Sequence, residues 1–219
     1  MKLTGPDNRQ TGLTMIELLV VLACLGLLIG LLLPSLGGAS QRTSVVRCIS
    51  NLKQVALGEI IWAYDHRSEG LITNLPAGDA GFGRLLSFGG IASYYQALSN
   101  ELVSPVILAC PSDSRTPAPD FRSLTTNHLS YFLNLETKSG IDTSTAINGD
   151  RHISFTPTPL GQTVTLTTNL SMQWTKKLGH NGVGNLALVD GSVQKTTSRD
   201  LATTLLFPSN TVPHRLLFP

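Results

Sequence analysis

Hydrophobic and polar positions follow three different patterns along this chain. From Leu18 to Leu33 there is no period: every residue is apolar or glycine. From Val45 the apolar positions recur at Val45, Ile49, Leu52, Ala56, Ile60 and Ala63, in steps of four, three, four, four and three, the spacing of one helix face. Beyond residue 105 come short runs of β-prone residues, separated by Gly, Pro, Asn and Asp.

The aperiodic run predicts a buried or membrane-embedded helix. Counted over 13–33 it is about 21 residues, or roughly 31 Å of helix, long enough to span a bilayer core. Pro34 follows and is expected to kink or briefly melt the helix, with Gly37 and Gly38 adding weakness. The periodic stretch predicts an amphipathic helix over 34–66 whose stripe packs on a globular domain, with Arg47, Lys53 and Glu59 mostly on the outer side. Asp65 to Gly70 end it.

The remainder, 67–219, is expected to form one globular domain. Residues 71–91 are glycine-rich and predict a loop, with a short helix at 84–88. Residues 92–103 predict a helix with Tyr94, Tyr95, Leu98, Leu102 and Val103 on one side. Val106 to Ala109 reads as a short buried strand or extended segment, 128–135 as a strand and 136–150 as a surface loop. Val164–Thr167 and Ser171–Trp174 are β-prone. Asn185–Val189 and Ser192–Lys195 flank Asp190-Gly191 and predict a hairpin with a two-residue turn. Residues 198–206 suggest a helical turn, and 207–219, with three prolines, a loose tail. The fold class is therefore α+β: a long N-terminal helix, apolar then amphipathic, packed on a small antiparallel sheet.

Glu17 changes the picture. A carboxylate beside an apolar run is costly and usually has a partner. If the leader 1–12 is removed after Gly12, Leu13 gains a free α-amino group one helical turn from Glu17, and the same amine on a neighbouring copy would neutralise Glu17 in a bundle of helices. Lys2 and Arg9 place the leader's positive charge before the run, so the N-terminus is expected in the cytoplasm and the domain outside it.

Gly12-Leu13-Thr14-Met15-Ile16-Glu17-Leu18-Leu19 resembles the processing site of type IV pilins and pseudopilins, with Leu13 in place of the commoner Phe. The resemblance implies cleavage after Gly12 by a prepilin peptidase, N-methylation of Leu13 and assembly through Glu17. It further implies a kink or local melting of the helix at Pro34. The second half of the chain adds to it. His180 and Asp190-Gly191 are separated by nine residues, and with Cys110-Pro111-Ser112-Asp113 and Cys48 they resemble prepilin-type proteins carrying a His-x9-Asp-Gly segment, abundant in planctomycetes and verrucomicrobia. The family implies a structural subunit of a type II secretion-like or type IV pilus-like filament, not an enzyme. Its implied partners are copies of itself and other pseudopilins, the inner-membrane assembly platform and membrane lipid. The implied location is the inner (cytoplasmic) membrane, single-pass, with a periplasmic or extracytoplasmic domain.

Other readings of the N-terminus stay open. Lys2 and Arg9 with Gly37-Gly38-Ala39 would suit an ordinary signal peptide of a secreted protein, Val21-Leu22-Ala23-Cys24 loosely suits a lipidation box, and an unprocessed span would suit a singly anchored extracytoplasmic binding protein. A net charge of +2 with 14% charged residues offers no field for nucleic acid. No Gly-x-Ser-x-Gly or His-Glu-x-x-His is present; Ser112, Asp113 and His180 alone make a poor triad. Asp113, Asp142, Asp150 and Asp190 are scattered, which disfavours the calcium that major pseudopilins of type II secretion often hold, so neither cofactor nor metal is expected. His180 is expected to pin a nearby loop by hydrogen bonding. Trp62, Tyr64, Tyr94, Tyr95 and Trp174 are expected in the core. Cys24 reads as a small apolar residue of the span. Cys48 and Cys110, in an oxidising compartment, are a candidate disulfide, with buried free thiols as the alternative.

Overall fold

The computed structural model describes residues 14–36, 39–66, 82–135, 144–159, 161–167, 169–176, 179–206 and 214–219; side chains of 32–42 and 82–89 are outside the description. The chain divides into two compact units, Met1–Arg42 and Thr43–Pro219.

In the first unit, helix α1 covers Met15–Leu36. Its side chains from Met15 to Leu31 are all exposed, so it presents apolar surface on every side. Among the described residues, no helix is long and apolar enough to cross a membrane. Pro34 does not end this helix, which continues to Leu36 before a second helix, α2, begins at Ala39. Proline removes one donor, and a helix keeps its flanking bonds across that gap.

The second unit is built in layers. Helix α2 (Ala39–Asp65) buries Cys48, Leu52, Val55, Ala56, Trp62 and Ala63. Strands β1 (Tyr131–Asn134), β2 (Ala146–Asp150), β4 (Thr163–Thr165), β6 (Val183–Leu188), β7 (Val193–Thr197) and β8 (Arg215–Leu217) make an antiparallel sheet in the order β4-β8-β1-β2-β6-β7. A separate ribbon pairs β3 (Ile153–Thr156) with β5 (Ser171–Trp174). Side chains alternate between two cores, as the period of a strand requires. Tyr131, Leu133, Ile147, Ala187 and Leu217 join α2 on one face; Phe132, Ala146, Leu186, Leu188 and Leu216 join β5 and helix α5 (Ser198–Leu206) on the other. A sheet covered on both sides carries apolar residues at successive positions.

Helix α3 (Phe82–Ala97) and the short α4 (Ser99–Leu102) complete the first core with Ile91, Tyr94, Tyr95, Leu98 and Leu102. The short helix expected at 84–88 is longer: residues are helical from Phe82, and Gly90, with φ of 62°, bends the element before it runs on to Ala97; 71–81 lie outside the described residues. Pro105–Leu108 is a 3-10 helix and not a strand, because Ser104 accepts from Val106 N at its start and Pro105 suits the first helical position. The expected strand at 128–135 is shorter: Thr126–His128 is 3-10 and the strand starts at Tyr131.

Four further expectations are corrected. Residues 146–150 are not surface loop: β2 is buried throughout and lies inside the sheet, where Asn148 Nδ2 donates to Glu59 and Asp150 accepts from Asn185, partners remote in sequence. Within 207–219, residues 215–217 are a sheet strand between β4 and β1, and 207–213 lie outside the described residues. Glu59 faces inward and is 1% exposed, whereas Tyr64 is 84% exposed and is no core aromatic.

Candidate functional site

Gly12 and Leu13 lie outside the described residues. The next residues form a capping box at the start of α1. Thr14 N and Thr14 Oγ1 donate to Glu17 Oε2 at 2.8 and 2.7 Å, and Glu17 N donates to Thr14 Oγ1 at 3.4 Å. The carboxylate therefore turns back over the first helical turn.

In the second unit, chemistry-bearing residues gather where α2 meets the loop ahead of β6. Cys48 of α2 is bonded to Cys110, with Cα atoms 4.9 Å apart across 62 positions of sequence. Cys110 opens a tight turn in which Asp113 N donates to Cys110 O at 2.8 Å, as Pro111 favours. His180 packs against this bond: its Nε2 lies 3.5 Å from Cys110 Sγ and 3.3 Å from Asp150 Oδ2, and its side chain is 2% exposed. The same Oδ2 accepts from Asn185 N and Asn185 Nδ2, each at 2.8 Å. Asn51 Nδ2 donates to Ala109 O at 3.2 Å, a second tie between α2 and this segment. An open cavity of about 370 Å³, lined by Arg47, Asn51, Ala109, Cys110 and Arg115, lies alongside.

Asp113, at the other end of the turn, pairs with Arg151 through two contacts of 2.8 Å and with His152 Nε2 at 3.2 Å. Burial pulls its carboxyl upward, but His152, Arg151 and Ser130 together outweigh that and hold it well below the usual carboxylate range. Gly179, next to His180, has φ of 72° and sits so close to the His152 ring that a Cβ would meet it at 2.7 Å. Asp113 and His180 thus have separate partners, and Ser112, Asp113 and His180 are not assembled as a triad.

The two ends of the His-x9-Asp-Gly segment reach α2 at different points. His180 meets the disulfide; Gly191 meets the helix further on, where a Cβ would lie 3.1 Å from Leu57 and 3.5 Å from Ile60. The hairpin has a longer loop than expected. Gly191 N donates to Leu188 O and Leu188 N to Ser192 O, each at 2.9 Å. Gly191 has φ of 78°, and Asp190 is not among the positive-φ residues. This is the three-residue loop of a type I turn followed by a left-handed glycine. Asp190 is exposed and caps the turn, its Oδ1 accepting from Ser192 N at 2.8 Å.

A stripe read from apolar residues alone leaves out Glu59. It accepts from Asn148 Nδ2 at 3.1 Å within the first core. Burial pushes its pKa up to about 8 against the smaller opposing effect of hydrogen bonds from Asn148 and Tyr94. Arg115 was also missed. It donates to the carbonyls of Thr126, Leu129 and Pro219, joining three separate segments. Helix spacing does mark Glu59, which lies three or four places from Val55, Ala56, Trp62 and Ala63 of the buried face; no local signal marks Arg115, whose partners come from other segments.

The class these features define is an α+β domain, its helix packed on an antiparallel sheet, preceded in the chain by an apolar helix opened by a Thr-Glu box. The family model described as the prokaryotic N-terminal methylation motif matches residues 7–33, which supports a type IV pilin-like prepilin. No curated protein and no solved structure matches the chain.

Proposed function

We propose that this chain is a non-enzymatic structural subunit of a type II secretion-like filament, cleaved after Gly12, N-methylated on Leu13 and polymerised through its apolar helix. The match at 7–33 carries this reading, because it joins the processing site, Glu17 and the apolar run in one segment. The all-round exposure of α1 supports it, since such a helix needs lipid or other helices around it. The bond between Cys48 and Cys110 suits an extracytoplasmic domain. A prepilin peptidase, the inner-membrane assembly platform, lipid and further pseudopilins are the partners; nucleic acid is not. The His-x9-Asp-Gly segment belongs to the same proposal as a clasp that holds the sheet on α2. Mass spectrometry of the mature N-terminus tests it. A first residue of methylated Leu13 is expected, and an intact leader or a cut near Gly37 would overturn it.

A further inference from the structure

We infer that the reduced chain binds a zinc ion through Cys48, Cys110 and His180, with Asp150 as the fourth ligand, so that disulfide and metal site are alternative states of one constellation. The two sulfurs and one His180 ring nitrogen lie within 4.8 Å of one another. Ligands held at about 2.0–2.3 Å by one tetrahedral ion stand about 3.3–3.8 Å apart. His180 Nε2 already keeps such separations, 3.5 Å from Cys110 Sγ and 3.3 Å from Asp150 Oδ2. Two thiolates, an imidazole and a carboxylate suit a borderline-soft cation, not calcium or magnesium, which take oxygen ligands. The ligands come from α2, the Cys110 turn, the end of β2 and the loop ahead of β6, so no zinc-type spacing exists in the sequence.

Asp150 Oδ2 accepts two bonds from Asn185, so the group facing it at His180 Nε2 is a donor while the disulfide is intact. His180 Nδ1 then has no hydrogen-bond partner among the described residues in its buried position. A dithiol reductant would open the bond by thiol–disulfide exchange. It gives up two electrons and two protons and leaves as its own disulfide, while Cys48 and Cys110 become thiols. Zinc then replaces the two thiol protons, which pass to solvent. His180 moves its proton to Nδ1 and presents the Nε2 lone pair to the ion. Cys110 lines the open cavity of about 370 Å³, which offers a path for reductant and ion.

The test uses the full chain in detergent, reduced with a dithiol, freed of metal and titrated with zinc chloride against a chromophoric chelator. One zinc per reduced chain and none per oxidised chain are expected, with Cys48 and Cys110 protected from alkylation. His180→Ala should weaken binding by about tenfold or more. Equal affinity in wild type and His180→Ala, or equal affinity in native buffer and in urea, overturns the inference, because unfolded thiols alone would explain either. If the reduced apo chain loses its near-UV circular dichroism, zinc must restore it; failure to do so also overturns the inference.

Discussion

Glu59 is a carboxyl group inside an apolar core, and its position has a pH consequence. Its folded pKa, about 8, lies above the ordinary value of 4.5. The folded chain therefore holds this proton more tightly than the unfolded chain does. The resulting stabilisation is complete below about pH 4.5 and is lost as pH rises to about 8, on the order of a few kcal/mol in all. Glu59→Gln keeps an acceptor for Asn148 and cannot ionise. Urea unfolding from pH 5 to pH 9 should show wild type losing stability relative to the variant; parallel pH profiles would contradict this. Glu17 poses a different question at the same scale. Its carboxylate serves the Thr14 box, and the proposed assembly gives it a second partner in a neighbour's amine. Glu17→Gln preserves a box-compatible side chain without charge, whereas Glu17→Ala removes both roles, the capping part costing about 0.5–2 kcal/mol. If charge pairing matters, both variants assemble poorly. Wild-type assembly by Glu17→Gln would leave only the cap.

Among the elements, the ribbon of β3 and β5 rests on the large sheet through a close approach. The Trp174 ring covers Gly184 so tightly that a Cβ there would stand 2.5 Å from it. Trp174 is 3% exposed and cannot easily retreat. Gly184→Ala should cost roughly 1–3 kcal/mol in chemical denaturation, with altered tryptophan emission; unchanged stability would mean that the ribbon shifts freely. What the sequence made legible at this scale follows the range of the interaction. The β6–β7 hairpin and the α2 stripe announce themselves because their signals are local. β2 does not, since Asn148 and Asp150 look like loop residues until Glu59, Asn185 and His180 are brought beside them. Glu59 lies at helical spacing from Val55, Ala56, Trp62 and Ala63 of the buried face, but a carboxylate reads as an outer residue until Asn148, 89 positions away, is brought beside it. The N-terminal motif was readable because its meaning lies in consecutive residues, whereas the cluster around Cys110 needed the fold.

For the whole globular unit, the Cys48–Cys110 bond ties α2 to the far end of the α3–α4 region across 62 positions. In the chain-entropy account such a closure is worth about 3–5 kcal/mol. Cys110→Ser should lower the unfolding free energy by about that much, while non-reducing peptide mapping of wild type yields the linked pair; two alkylatable thiols in unreduced, denatured protein would refute the bond. Arg115 adds a polar tie by bonding Thr126, Leu129 and Pro219.

β8 also bears on the order of events during folding. It lies between β4 and β1, and among the described residues β4 has no other neighbour in the sheet. A chain delivered N-terminus first can pair β1 with β2 and close the β6–β7 hairpin early, but β4 must wait for residues 215–217. Until then one side of β1 is an open edge, able to recruit a strand from another molecule. Delivery of the chain and completion of the sheet are thereby coupled in time, and the interval between them is when the domain is most prone to mispairing.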